Sequence, residues 1–240
     1  MTTLCIDTAT EYGTVVVVRD DGVTASVRWH SKGRHGENLF GHIESALAEV
    51  GASREELSLI GVDIGPGRFT SLRVGLGTAK GLAFGLGLPI VGVSSLRVLA
   101  RAIDAGPSVV RVPVMNAYRG DVFAAAYRIG EEGVEELAAP LFGSPDRVFE
   151  SIRRAAGDEP LRVGGEGVAA HAELIEETLG IRLDDAQRNL EAPTAQSIAA
   201  EIRYAYRVQG ASDLDSLEPH YLRPSDAKLP KQPLKIEPPT

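Results

Sequence analysis

Leu59-Ile60-Gly61-Val62-Asp63-Ile64-Gly65-Pro66-Gly67-Arg68-Phe69-Thr70-Ser71-Leu72-Arg73-Val74-Gly75 is the stretch on which the fold turns. Its first six residues are apolar except for one aspartate and read as a buried strand. Gly65-Pro66-Gly67 makes a turn where backbone can approach another group closely, and it aims the next helix N-terminus the same way. The helix predicted over Thr70–Leu86 has only Arg73 and Lys80 as charges, and Gly77, Gly81 and Gly85 recur every four residues along one face. A helix that is apolar almost all round has to be covered almost all round. Its own sheet can supply only one cover, so a second helix is expected against the glycine face.

Outward from this unit, Thr3–Asp7, Gly13–Arg19 and Gly22–His30 read as strands, the last two joined at Asp20-Asp21-Gly22. Gly36–Val50 follows, with Leu39, Phe40, Ile43, Leu47 and Val50 at helical spacing. Ser53-Arg54-Glu55-Glu56 has capping-box spacing and starts a short turn of helix. Pro89–Val93 is a strand, and Ser94 or Ser95 caps a helix running to about Ala105. The second half opens in the same order. Val109–Met115 and Val122–Ile129 are strands about the turn Tyr118-Arg119-Gly120, and Val134–Ala138 is a third. Ser144-Pro145 starts a helix over Asp146–Ala156, and Leu161–Val163 is a strand ending in Gly164-Gly165-Glu166-Gly167. Helices to Leu179 and over Ala195–Val208 close the pattern. Two halves with the same βββαβα opening predict an α/β protein with the duplicated actin-like (ASKHA, ribonuclease-H-like) fold. The expected lobes are 1–105 and 106–212, with a Pro- and Lys-rich tail over 213–240 that is partly disordered.

Composition narrows the function. Acids outnumber bases 33 to 25, a net charge of −8, which disfavours strong nucleic-acid binding by the chain alone. The one cysteine, Cys5, lies in the first strand and reads as an inert core thiol. No stretch reaches the ~20 apolar residues that span a bilayer. A soluble, cytoplasmic protein without membrane contact is expected.

Ile6-Asp7-Thr8, the run Gly65-Pro66-Gly67-x-Phe69-Thr70-x-Leu72-Arg73, the turn Met115-x-Ala117-x-Arg119-Gly120 and the late Tyr221-Leu222-Arg223 follow one another through nearly the whole chain. In that order they resemble the TsaB family, also called YeaZ. The resemblance implies a non-catalytic member of the actin-like superfamily. It would partner the catalytic paralogue TsaD and the ATPase TsaE in placing a threonylcarbamoyl group on the adenosine beside the anticodon of tRNA. It further implies a homodimer when alone, with tRNA reached only through the complex. The helices after the third strand and after the glycine loop would form both the homodimer and the TsaD contact. Leu39, Phe40, Ile43 and Leu47 of the first helix, with Leu72, Leu76, Gly77, Gly81 and Ala83 of the second, are therefore expected to build core on one side and an interface on the other. Arg68 stands where the family usually has Ser, Ser71 where it has Gly, and Asn116 where it has Asp. Gly164–Gly167 is a variant of the family's Gly-Asp-Gly turn.

Asp7, Thr8, Gly65, Gly67, Asn116, Gly165 and Glu166 are expected to line the interlobe cleft, where actin-like ATPases hold a metal-nucleotide between two carboxylates and glycine turns. Asp7 occupies the first carboxylate place and reads equally well as a turn residue at a strand end. The second place holds the neutral Asn116, a poor Mg²⁺ ligand beside a carboxylate. His35 and His42 are about two helical turns apart, too far for one ion without help, and no cysteine pair assists. Ser94-Ser95 reads as a helix cap, and no Gly-x-Ser-x-Gly is present. No catalytic residue, metal or cofactor is expected. The enzyme alternatives are an actin-like small-molecule kinase or nucleotidase and, with less support, a metallopeptidase.

Overall fold

The structure, a computed structural model, describes residues 1–22, 24–31, 35–130 and 133–223. The first three strands are β1 (Thr2–Asp7), β2 (Tyr12–Arg19) and β3 (Thr24–His30), followed by α1 (Leu39–Glu49), β4 (Leu59–Gly65), α2 (Phe69–Leu86), β5 (Ile90–Ser94) and α3 (Ser95–Ala102). The second series is β6 (Val110–Asn116), β7 (Val122–Ile129), β8 (Val134–Gly143), α4 (Pro145–Ala156), β9 (Leu161–Gly164), α5 (Ala172–Leu179), α6 (Asp185–Asn189) and α7 (Ala195–Gln209). One sheet has the order β3-β2-β1-β4-β5 and the other β8-β7-β6-β9. In each, the first strand pairs antiparallel with the second and parallel with the strand after the first helix. This is the duplicated actin-like arrangement.

The four valines of β2 show why the first sheet forms. Val15 and Val17 point to α1 and α2, while Val16 and Val18 point to α7, so both faces are covered and the run needs no polar alternation. Leu4 and Ile6 share the first face, and Cys5 the second. Burial pushes the Cys5 thiol up to about 12, as suits a core residue. In the second sheet Val110, Val112 and Val114 face α4 and α5. Its other face meets Leu96, Leu99 and Ala100 of α3, which fills the space between the two sheets.

α7 follows the second sheet in the chain but packs on the first. A Cβ on Gly61 would lie 2.3 Å from Ile202 of α7, so that strand glycine admits the helix. The segment after α7 also returns to the first sheet. Ser212 bridges to Ile90, the His220 amide donates to the Ile64 carbonyl at 2.7 Å, and Arg223 reaches the Ala117 carbonyl at 2.8 Å. The tail expected over 213–240 is thus ordered along the protein to residue 223; residues 224–240 lie outside the described ones.

Two elements differ from the sequence expectation. β8 runs on to Gly143 through Pro140, because it is an edge strand with a bulge at that point. The short helix α6 was not expected, although its capping box, Asp184 with Gln187, is present in the sequence.

Candidate functional site

The ends of β1, β4 and β6 meet between the lobes, and each ends in the same device. Asp7 Oδ1 accepts from the Ala9 amide at 3.0 Å, Asp63 Oδ1 from the Gly65 amide at 2.7 Å, and Asn116 Oδ1 from the Tyr118 amide at 2.8 Å. All three close turns two residues on, a role Asn fills as well as Asp. The glycines beside them serve contacts within the chain. A Cβ on Gly67 would sit 2.4 Å from the Ala9 carbonyl, and the Arg68 amide donates to that carbonyl at 2.9 Å. Gly65 lies against the His220 carbonyl, and a Cβ on Gly165 would come within 2.3 Å of the Val114 carbonyl. Thr8 donates to the Ser71 carbonyl at 2.8 Å. Of the seven expected cleft residues, only Asp7 and Glu166 line the space that remains.

That space is about 10 Å³, bounded by Asp7, Asp63, Ser95, Leu99, Glu166 and Glu191. It has room for roughly one water, against the ~300 Å³ or more that a small-molecule site takes. Arg68 seals the mouth. Its guanidinium pairs with Glu11 of the first lobe and the Tyr118 hydroxyl of the second, with its charge over the Tyr118 ring. Burial lifts Glu166 to about 7 in spite of the nearby Arg68 charge. Among the described residues, the space beside Asp7 is too small for a nucleotide.

Asp63 is the site residue that the sequence expectation left out. It is 1% exposed and sits beside Asp7, at 4%. Burial raises both carboxyls, Asp7 to about 6, and the Asp7 charge raises Asp63 further. Ser95 Oγ donates to Asp63 Oδ1 at 2.5 Å, while Oδ2 is buried with no hydrogen-bond partner among the described residues. Two buried carboxyls side by side disfavour each other's charge, so both are held towards the neutral acid, Asp63 more strongly. Its signal was a charged residue inside the run Leu59–Ile64. Ser94 stands at the N-cap of α3, as expected, but without a side-chain cap hydrogen bond, and Ser95 serves Asp63. His42 stacks on Trp29 at 4.3 Å and His30 pairs with Glu11. The His35 side chain lies outside the described residues.

The two helices expected at an interface divide cleanly. Leu39, Ile43, Leu47, Leu76 and Ala83 are buried against their own sheet, and Leu72 is buried among Leu96, Leu99 and Met115 between the lobes; as core residues they do not face a partner, which corrects their place in the expected interface. Phe40, Gly77 and Gly81 are exposed. A Cβ on Gly77, Gly81 or Gly85 would meet nothing within 4 Å, so these glycines do not bring α2 onto its sheet. Gly75 does, because a Cβ there would lie 2.3 Å from Thr8 Oγ1. Phe84 is 80% exposed, Phe40 52% and Phe69 46%. Phe69 stacks on Tyr221 at 4.9 Å beneath Arg73, at the N-terminal end of the same face.

The fold defines a two-lobed actin-like protein with a small interlobe space and an exposed helical face on α2. The chain matches the family model described as "TsaD: tRNA N6-adenosine threonylcarbamoyltransferase" over residues 28–231. It is 32% identical over 236 residues to the "tRNA threonylcarbamoyladenosine biosynthesis protein TsaB" of Escherichia coli strain K12, covering 96% of this chain and 99% of that one. The protein of the same description from Bacillus subtilis is 29% identical over 95% of this chain and 96% of its own. The solved "YeaZ from Pseudomonas aeruginosa" superposes with a TM-score of 0.75 at 23% identity, over 92% of this chain and 100% of that one, and shares the fold. The chain belongs to the TsaB (YeaZ) family.

Proposed function

We propose that this chain is the non-catalytic scaffold subunit of a cytoplasmic tRNA threonylcarbamoyladenosine synthesis complex. It docks a TsaD-like catalytic paralogue through the outer faces of α1 and α2, works with a TsaE-like ATPase, and self-associates through the same faces when alone. The observation that carries this reading is the outer face of α2, where Gly77, Gly81 and Gly85 stand open and Phe84 is 80% exposed. Contiguous apolar surface of this kind marks a contact site, and a two-fold contact between like faces is the commonest cover. Glycines spaced by four let a second helix backbone come close. The filled cleft supports the non-catalytic part of the reading, and the names of the relatives supply the process.

Sedimentation of the wild type, Gly81→Leu and Phe84→Asp, with capture of a TsaD-like partner by each, tests the docking face. The wild type is expected to dimerise at micromolar concentration, and both variants are expected to remain folded by circular dichroism while losing dimer and partner together. A wild type that remains monomeric and captures no partner refutes the reading. So does a folded Phe84→Asp variant that captures the partner as well as wild type.

A further inference from the structure

The face of the first sheet opposite α1 and α2 carries a different surface. There Arg97 and Arg101, one turn apart on α3, reach Glu201 of α7 at 2.7 and 2.5 Å. Glu201 is 1% exposed, so one buried carboxylate fixes two guanidiniums. Tyr204, one turn further along α7, has Arg97, Arg101 and Arg207 about its ring at 5.6, 4.8 and 5.8 Å. Its hydroxyl accepts from the Val134 amide of the other lobe at 3.3 Å, which anchors the ring. Arg207 is exposed and has no carboxylate partner among the described residues. Two adjoining cavities of about 440 and 640 Å³ share Arg101 and Ala200 and run along this seam from Arg111 to Arg207. Among the described residues, Arg101, Arg111, Arg203, Arg207 and the N-terminal ammonium stand on their walls with Asp20 and Asp104; Asp20 pairs with both Arg203 and the ammonium, and the Arg111 guanidinium donates to the carbonyls of Ile103, Ala105 and Ile129. In a chain with a net charge of −8, the seam is a local excess of positive charge.

We propose that this seam binds the phosphate backbone of RNA. That the RNA is a tRNA rests on the function proposed above. Three features favour a polyanion. Arg101 is held by Glu201, Arg203 by Asp20 and Arg207 against the Tyr204 ring before any ligand arrives, so little side-chain freedom is lost on binding. The trough is open and extends over two cavities, longer than a single phosphate group requires. Tyr204 and Arg207 add flat faces of the kind on which nucleic-acid bases stack. Because α7 and α1–α2 cover opposite faces of one sheet, a protein partner on α1–α2 leaves the seam in solvent. The chain can then hold protein and RNA at once. The overall negative charge keeps RNA binding by the chain alone weak, and a partner that supplies further phosphate contacts makes it tight.

The test is fluorescence anisotropy of labelled tRNA with the full chain, alone at about 50 mM salt and together with a TsaD-like partner across a salt series. The variants are Arg203→Glu/Arg207→Glu and, as a control of equal charge change on the second lobe, Arg147→Glu/Arg154→Glu. The seam variant is expected to lower affinity about tenfold or more and to reduce the salt slope by about 1 for each phosphate that the seam no longer neutralises, while the control changes affinity less than about threefold. Thermal melts establish that both are folded. Equal reductions in the two variants overturn the proposal, since net charge alone then accounts for binding. Displacement of the RNA by millimolar ATP or triphosphate overturns it in favour of a small-anion site. If no partner complex forms, the scaffold reading fails, and the chain-alone measurement still decides the seam.

Discussion

At Asp63 a carboxyl sits in an apolar strand with Asp7 as its neighbour and Ser95 as its donor, and the consequence is a pH dependence of definite sign. A carboxyl raised by burial holds its proton in the folded state at pH values where the unfolded chain has released it. The stability from this pair is therefore fully present below the ordinary aspartate value, about 4, and is lost as pH rises through the folded value, about 6 for Asp7, with Asp63 extending the loss upward. Asp63→Asn keeps an acceptor for Ser95 and Gly65, gives Asp7 an N–H donor and needs no proton. Its melting temperature is expected to exceed that of wild type at pH 8, corresponding to about 1–3 kcal/mol, with the gain shrinking towards pH 4.5. A difference that does not vary with pH would show that neither carboxyl takes up a proton on folding. Asp63 was visible in the sequence as the one charge in its run, but its partners lie 56 and 32 residues away, and only the parallel β1–β4 pairing and α3 bring them together.

Along α2 the glycines divide by what surrounds them. Gly75→Ala places a methyl group 2.3 Å from Thr8 Oγ1, in a contact that also fixes Thr8 to Ser71. That change is expected to destabilise by about 1–3 kcal/mol in urea unfolding. Gly77→Ala meets nothing within 4 Å and replaces a poor helix former, so it should stabilise by up to about 1 kcal/mol. A Gly77→Ala chain no more stable than wild type would show that the open space around that glycine is already filled by a second molecule in solution. The helical period of α2 and the apolar runs of β1, β2 and β4 were legible because one local pattern sets each. Which side of α2 faces the sheet was not, because apolar residues and glycine occur on both sides and only contact with β1 and β4 fixes the phase. Pro140 hid the second half of β8, since an edge position tolerates a proline that a central strand would not. The place of α7 on the first sheet was hidden for another reason: chain order put it with the second lobe, and a strand glycine, Gly61, was the one local sign that something packs there.

As a whole the molecule is two sheets joined through α3, with a small space between them among the described residues and Arg68 bridging the two lobes. This determines what repairing the second carboxylate would do. Asn116→Asp restores the residue type at the place where actin-like ATPases bind metal, yet the Asn116 side chain already closes its own turn on Tyr118, and the space beside Asp7 is about 10 Å³. Gly67 presses on Ala9 within the first lobe and Gly165 on Val114 within the second, backbone to backbone, so no rotamer change enlarges that space. A nucleotide would also have to break the Arg68 bridge between Glu11 and Tyr118. Asn116→Asp is therefore expected to leave Mg-ATP binding undetectable by calorimetry, and Arg68→Ser added to it should loosen the mouth without creating the volume. The double variant is expected to hydrolyse no ATP above the buffer rate, while Arg68→Ser alone should lower the melting temperature by an amount corresponding to about 1 kcal/mol or less, as suits a partly exposed ion pair. Stoichiometric Mg-ATP binding by either variant, or ATP turnover by the wild type that Asp7→Ala abolishes, would mean that the lobes open far enough to admit a nucleotide, and that the cleft is a working nucleotide site.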